Sequence, residues 1–165
     1  MLSPCESPLS FDDLEVSQEW ESDGREVTQA DIAAFADLTG DRSPVHVDPH
    51  YARKTLFRRC IAHGLLGLSL SSGLSLSAPA VRTVAFLGLR EWHFRAPVYP
   101  GDTIRTRVCV LEKERQGRGR RGTVVWRVQV LNQSGRVVQE GVTLTLVETA
   151  TTQTNGVAWR AIPAV

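Results

Sequence analysis

Cysteine is scarce in this chain, and its three copies, Cys5, Cys60 and Cys109, lie far apart. An odd count with no C-x-x-C pair gives no disulfide framework. Idle thiols in a reducing compartment are expected, with no metal site. An excess of either charge is also missing: 19 basic against 18 acidic residues leave a formal net charge of +1. Nucleic-acid and membrane-surface binders usually carry a basic surplus, so neither partner is expected. No hydrophobic run is long enough for a bilayer, because the longest candidate, HGLLGLSLSSGLSLSA, is interrupted by serine and glycine. The opening MLSPCESPLSFDD has neither a basic region nor an apolar core, unlike a secretory signal. Internal repeats and domain linkers are absent as well. What remains is a chain of 165 residues that can bury one sizeable core. It reads as a single cytoplasmic domain over 1–165, with loose arms at 1–10 and 149–165.

The first half has helical punctuation. Thr28 followed by Asp31 has the pattern of a capping box, and Ile32, Phe35, Ala36 and Leu38 follow near helical spacing. Gly40 stands where a helix end favours positive φ, and Pro44 is expected to prevent a restart. Asp48-Pro49 opens a second short helix, expected to run to about Leu56. His63-Gly64 begins a longer one in which leucines from Leu65 to Leu76 alternate with glycine and serine. With no polar face, that helix is expected to be buried and wrapped by other structure, and to end before Pro79.

Beyond it the period becomes two. Val84, Phe86, Trp92, Phe94 and Ala96 share a parity. So do Ile104, Thr106, Val108 and Val110, then Val124, Trp126, Val128 and Val130, then Val138, Val142, Leu144 and Leu146. The turn sequences YPGD, RQGRGRRG and NQSG separate these four rows, and the last three read as an antiparallel meander. A further strand is expected around Glu15–Glu21. The tail carrying Trp159 reads equally as an ordered arm or a frayed end. An α+β domain results, in which one antiparallel sheet wraps one apolar helix. A second subunit would cover the exposed sheet edge.

Chemistry concentrates in TGDRSPVH, residues 39–46. An aspartate in a turn has a bland explanation, since turns enrich Asp. Yet Gly40 and Pro44 fix the loop, so Asp41 and His46 can be held in place. Seventeen residues past His46, His63-Gly64 opens the long helix, whose first N–H groups and positive potential suit an oxyanion. An Asp/His pair for proton transfer and donors for an enolate-like oxygen fit water addition to an enoyl thioester. RQGRGRRG reads as a solvated hairpin, or as a phosphate contact through Arg118, Arg120 or Arg121. Arg53, Lys54, Arg58 and Arg59 admit the same two readings. Trp92, Phe94 and Trp126 read as core, with an acyl-pocket lining as the alternative.

TGDRSPVHVDP followed by IAHGLL, and later HFRAPVYPGDTI, resembles the MaoC-like hydratases, the (R)-specific enoyl-CoA hydratases and dehydratases of the hotdog fold. The resemblance covers about Phe11 to Val147. It implies that Asp41 and His46 activate water and shuttle the proton, and that Gly64 gives its backbone N–H to the thioester oxygen. Ser72 matches a serine often found near such sites, with helix packing as its other reading. His63 matches a family position and reads as support that borders the pocket. Ser43 stands where the family usually has asparagine, so its contact with substrate or loop is made by a shorter group. The resemblance further implies an acyl-CoA or acyl-carrier-protein substrate, CoA only as part of that substrate, no separate cofactor, and a homodimer or higher homo-oligomer. A hotdog thioesterase and a non-catalytic hotdog subunit are the other readings.

Overall fold

The computed structural model describes residues 7–150 apart from Ser77 and Arg118. The chain runs through β1 (Glu19–Glu21), β2 (Arg25–Glu26), α1 (Gln29–Thr39), α2 (Pro44–Val47), α3 (Pro49–Ala52) and α4 (Gly64–Ser75). Four long strands follow: β3 (Thr83–Phe94), β4 (Thr103–Gln116), β5 (Arg121–Leu131) and β6 (Val137–Glu148). They form one antiparallel sheet in the order β1-β4-β5-β6-β3, with β2 also paired to β4. The expected α+β architecture and the β4–β5–β6 meander are both present.

Local chemistry sets the ends of α1. Thr28 Oγ1 accepts from the Asp31 N–H, the Asp31 carboxylate accepts from the Thr28 N–H, and Gly40 closes the helix at φ 77°. Leu38, expected on the buried face, is exposed, and burial falls on Ile32 and Ala36. Pro44 does not prevent a restart. It occupies the first turn of α2, where its missing N–H costs nothing. Asp48 caps α3 through the N–H groups of His50 and Tyr51, but that helix stops at Ala52, well before the exposed Leu56.

The long helix α4 hides its polar groups on itself. Ser69, Ser72 and Ser75 each hydrogen-bond the carbonyl four residues back, and Ser71 bonds Leu68 O. One side packs on the sheet through Leu66, Gly67 and Ser71, while Leu65 and Ser72 are exposed. In the single chain α4 is therefore half-buried, not wrapped on every side. The reason is that the sheet covers only one of its faces.

Inner parity holds on β4 and β5, where Ile104, Thr106, Val108 and Val110 face Val124, Trp126, Val128 and Val130 in the core. It fails on β6. A register shift where Val130 pairs Gln139 and Leu131 pairs Val137 inserts Val138 as an extra residue. The inward row after it is Gln139, Gly141, Thr143, Thr145 and Val147, not Val142, Leu144 and Leu146. Strand β3 carries three such irregularities, so Val84 and Phe86 stay exposed while Trp92 packs inward.

The core has two clusters. One gathers Phe11, Leu14, Val108, Val124 and Trp126; the other gathers Val27, Ile32, Leu66, Ile104 and Val130, and Trp92 touches both. Residues 7–10, expected to be loose, are anchored: Leu9 exchanges backbone hydrogen bonds with Ala80 and Arg82, and Ser10 is buried. At the other end Thr149 is buried too; Trp159 and the rest of the tail lie outside the described residues. No helix among the described residues is long and apolar enough to cross a membrane.

Candidate active site

The turn after α1 and the N-terminus of α4 meet through two reciprocal hydrogen bonds. His46 Nδ1 lies 2.8 Å from Ile61 O, and His63 Nε2 lies 2.9 Å from Asp41 O. A carbonyl only accepts, so each of these ring nitrogens carries the proton. In the neutral imidazoles the lone pairs are then at His46 Nε2 and His63 Nδ1. The two rings stack with centroids 3.9 Å apart and planes inclined by 28°. His63 is 2% exposed, packs on Phe35, and its Nδ1 is buried without a partner among the described residues.

Asp41 is exposed, and its carboxylate accepts from the Ser43 N–H at 3.2 Å. Its oxygen and one ring nitrogen of each of His46 and His63 all lie within 4.8 Å of one another. Such a trio can be asked to hold a metal. A coordinated ion lies near the plane of each imidazole, about 2 Å from nitrogen. Stacked rings with nearly parallel planes cannot both aim lone pairs at one such point. The trio suits a shared water better, with Asp41 and His46 Nε2 as acceptors.

His46 and Gly64 border a cavity of about 460 Å³, with Phe94, Ala96, Pro97 and Gln139 among its walls. Gly64 is the first residue of α4, no side chain caps that helix, and the first bond closing it is Gly67 N–H to His63 O. Its leading N–H groups thus have no partner within the helix. A Cβ at Gly64 would stand 2.7 Å from the Phe94 ring, so a larger residue would disturb the wall. Asp41, Ser43 and His63 are not in the cavity wall; Asp41 reaches His46 from the solvent side. Ser72 does not border the cavity that holds His46 and Gly64. It borders a second cavity two turns along α4, with its hydroxyl on Leu68 O.

The sequence reading missed Gln139. It is 3% exposed, donates from Nε2 to Gly64 O at 3.1 Å, and accepts from Trp92 Nε1 at 3.3 Å. A glutamine in an apolar strand was the available signal, but the Val138 bulge decides that it points inward.

Two polar groups near the site hold structure in place. Asp102 of YPGD is buried and binds the Tyr99 N–H and Gln133, which pins the turn, with Gly101 at φ 92°. Arg59 lies over the Tyr99 ring at 3.8 Å. The RQGRGRRG hairpin joins the ends of β4 and β5 beside Glu148, at the end of the sheet away from Gln139. Arg118 lies outside the described residues, and Arg115, Arg120 and Arg121 do not line the cavity within one chain. Cys60 is free and buried, and burial, helped by Asp48, pushes its thiol pKa up, as suits an idle group.

The chain is 38% identical over 107 residues to a 3-hydroxybutyryl-CoA dehydratase of Methylorubrum extorquens, covering 63% of this chain and 65% of that protein. It is 38% identical over 102 residues to an (R)-specific enoyl-CoA hydratase of Aeromonas caviae, covering 62% and 75%. The match thus spans just under two thirds of the first of these relatives. A Mycobacterium tuberculosis protein with a double hotdog fold superposes with a TM-score of 0.76 at 24% identity, over 90% of this chain and 47% of that one, which establishes the hotdog fold. Residues 14–133 match the family described as MaoC like domain. With a family match over most of its length and the sheet-on-helix fold to go with it, the chain belongs to the MaoC-like domain family.

Proposed function

We propose that this protein is a hydratase/dehydratase interconverting 2-enoyl thioesters and (R)-3-hydroxyacyl thioesters. The observation that carries the reading is the meeting of three groups: the Asp41 carboxylate, the His46 ring with Nε2 left free by the Nδ1 bond to Ile61 O, and the uncapped start of α4 at Gly64. A water between Asp41 and His46 gives up a proton as its oxygen bonds to C3. The π electrons move toward the thioester oxygen, which the Gly64 N–H holds. The proton returns to C2 from the same side, so H and OH add to one face. Dehydration runs the steps backward. The reaction needs no electron acceptor, because adding water leaves the net oxidation level unchanged, and no metal step is required. CoA is the expected carrier, an acyl carrier protein the second choice. The names of the relatives support both the reaction and the (R) configuration.

A homodimer fits the same reading. Strand β3 is a sheet edge, and it exposes Val84, Phe86, Leu87, Leu89 and Phe94 beside Leu65 and Leu76 of the α4 region. An open edge with so much apolar surface is the ordinary place for a second copy to pair. That copy would also cover the solvent side of the Asp41–His46 pair.

Asp41→Ala and His46→Ala should each lower crotonyl-CoA hydration by about 10²–10⁴-fold with an unchanged circular dichroism spectrum. Wild-type rates in both variants would defeat the assignment. Release of free thiol without formation of 3-hydroxyacyl product would point to hydrolysis instead.

A further inference from the structure

Two cavities flank the inner side of α4, and one hydrogen-bonded pair stands between them. The first holds His46 and Gly64. The second, about 410 Å³, is lined by Leu68, Ser72, Phe86, Val108, Trp126 and Thr143 among others. Along α4, Gly64 and Leu65 border the first cavity and Leu68, Ser71 and Ser72 the second, with Gly67 between. Along the inward row of β6, Gln139 borders the first and Thr143 and Thr145 the second, with Gly141 between. Gln139 packs its amide against Gly67, and Trp92 lies over Gly141, whose added Cβ would come within 2.5 Å of the indole. Trp92 Nε1 donates to Gln139 Oε1, and Gln139 Nε2 donates to Gly64 O. The same wall is thus reached from the helix side and from the strand side.

We propose that the Trp92–Gln139 pair is a partition that sets the acyl-chain length of this enzyme. The inference rests on the hydratase reading above. A short acyl chain fits in the first cavity and stops at the Gln139 amide. A longer one must displace that amide from Gly64 and Trp92, leaving polar groups unpaired in an apolar setting, which is unfavourable. The apolar cavity behind the wall, with Val108, Val128 and Trp126, suits the far end of an alkyl chain that has passed the wall.

The test compares kcat/KM of the full chain for crotonyl-CoA and trans-2-octenoyl-CoA, in the wild type, Trp92→Leu and Gln139→Ala. The wild type is expected to favour crotonyl-CoA by about tenfold or more, and each variant to raise the octenoyl-to-crotonyl ratio by about tenfold, the scale on which pocket contacts discriminate alkyl chains. A residue needed only for folding lowers both rates together and leaves their ratio alone. The inference is overturned if the ratio stays within about twofold of wild type in both variants, or if the wild type already accepts octenoyl-CoA as readily as crotonyl-CoA. Failure of the underlying reading looks different: the wild type then hydrates neither thioester, and the partition falls with it.

Discussion

At the scale of single residues, His46 and His63 differ in what they leave free. His46 spends Nδ1 on Ile61 O and keeps Nε2 free, with the Asp41 carboxylate nearby, which fits it for proton transfer. His63 spends Nε2 on Asp41 O and stacks under His46, which fits it for holding the pair in place. The distinction is testable, because the glutamine amide can stand in for an Nε2–H donor but not for an imidazole base. His63→Gln should retain markedly more hydratase activity than His63→Ala. His63→Ala should also lose about 1–3 kcal/mol in urea unfolding from the unpaired Asp41 carbonyl and the vacated ring site. Equal activities in the two variants would mean that the bond to Asp41 O contributes nothing to positioning.

At the scale of elements, glycine has opposite meanings within α4. Nothing lies within 4 Å of a Cβ at Gly73, whereas a Cβ at Gly67 would collide with the Gln139 amide. Gly73→Ala should therefore stabilise the protein by about 0.5–1 kcal/mol through helix propensity. Gly67→Ala should destabilise it by about 1–2 kcal/mol as Gln139 leaves Gly64 O. Paired denaturant titrations give both signs.

Helix α1 offers a second check at this scale. Burial works to raise the Asp31 pKa, but hydrogen bonds from the Thr28 N–H and hydroxyl, together with Arg25, outweigh it and hold the carboxyl below its ordinary value. A depressed folded-state pKa adds stability that is complete above the unfolded value, about 3.9, and is lost as pH falls through the folded one. Thr28→Ala should cost about 1 kcal/mol at neutral pH, and the gap to wild type should narrow below about pH 4.

At the scale of the whole molecule, the legible parts are those fixed by near neighbours. The α1 caps, the Gly40 stop and the inward rows of β4 and β5 follow from residues a few positions apart. The Asp41–His46 loop and Gly64 are legible for the same reason. The inward row of β6 depends on where β5 pairs with it, and one extra residue at Val138 reverses the parity. Gln139, 75 positions from the carbonyl it binds, is invisible without that register. The half-exposed α4 and the apolar β3 edge are the surfaces that the proposed dimer would cover. Sedimentation should show the wild type as a dimer, and Leu87→Lys with Leu89→Glu on the edge strand should shift it toward monomer with loss of activity. A wild type that sediments as a monomer at micromolar concentration would remove the dimer from the account.

The reciprocal bonds from His46 to Ile61 O and from His63 to Asp41 O close the intervening stretch at its own neck. Beyond the buried Ala52, residues 53–56 lead outward, with Leu56 in solvent, before Phe57 returns to the wall of the cavity that holds His46. Length can vary in such an excursion at little entropic cost, since closure grows only slowly with loop size. The geometry of the proton-transfer pair is thereby insulated from changes in the segment beside it. Residues 53–56 become the natural point of divergence, where an insertion can add a new contact without rebuilding the chemistry.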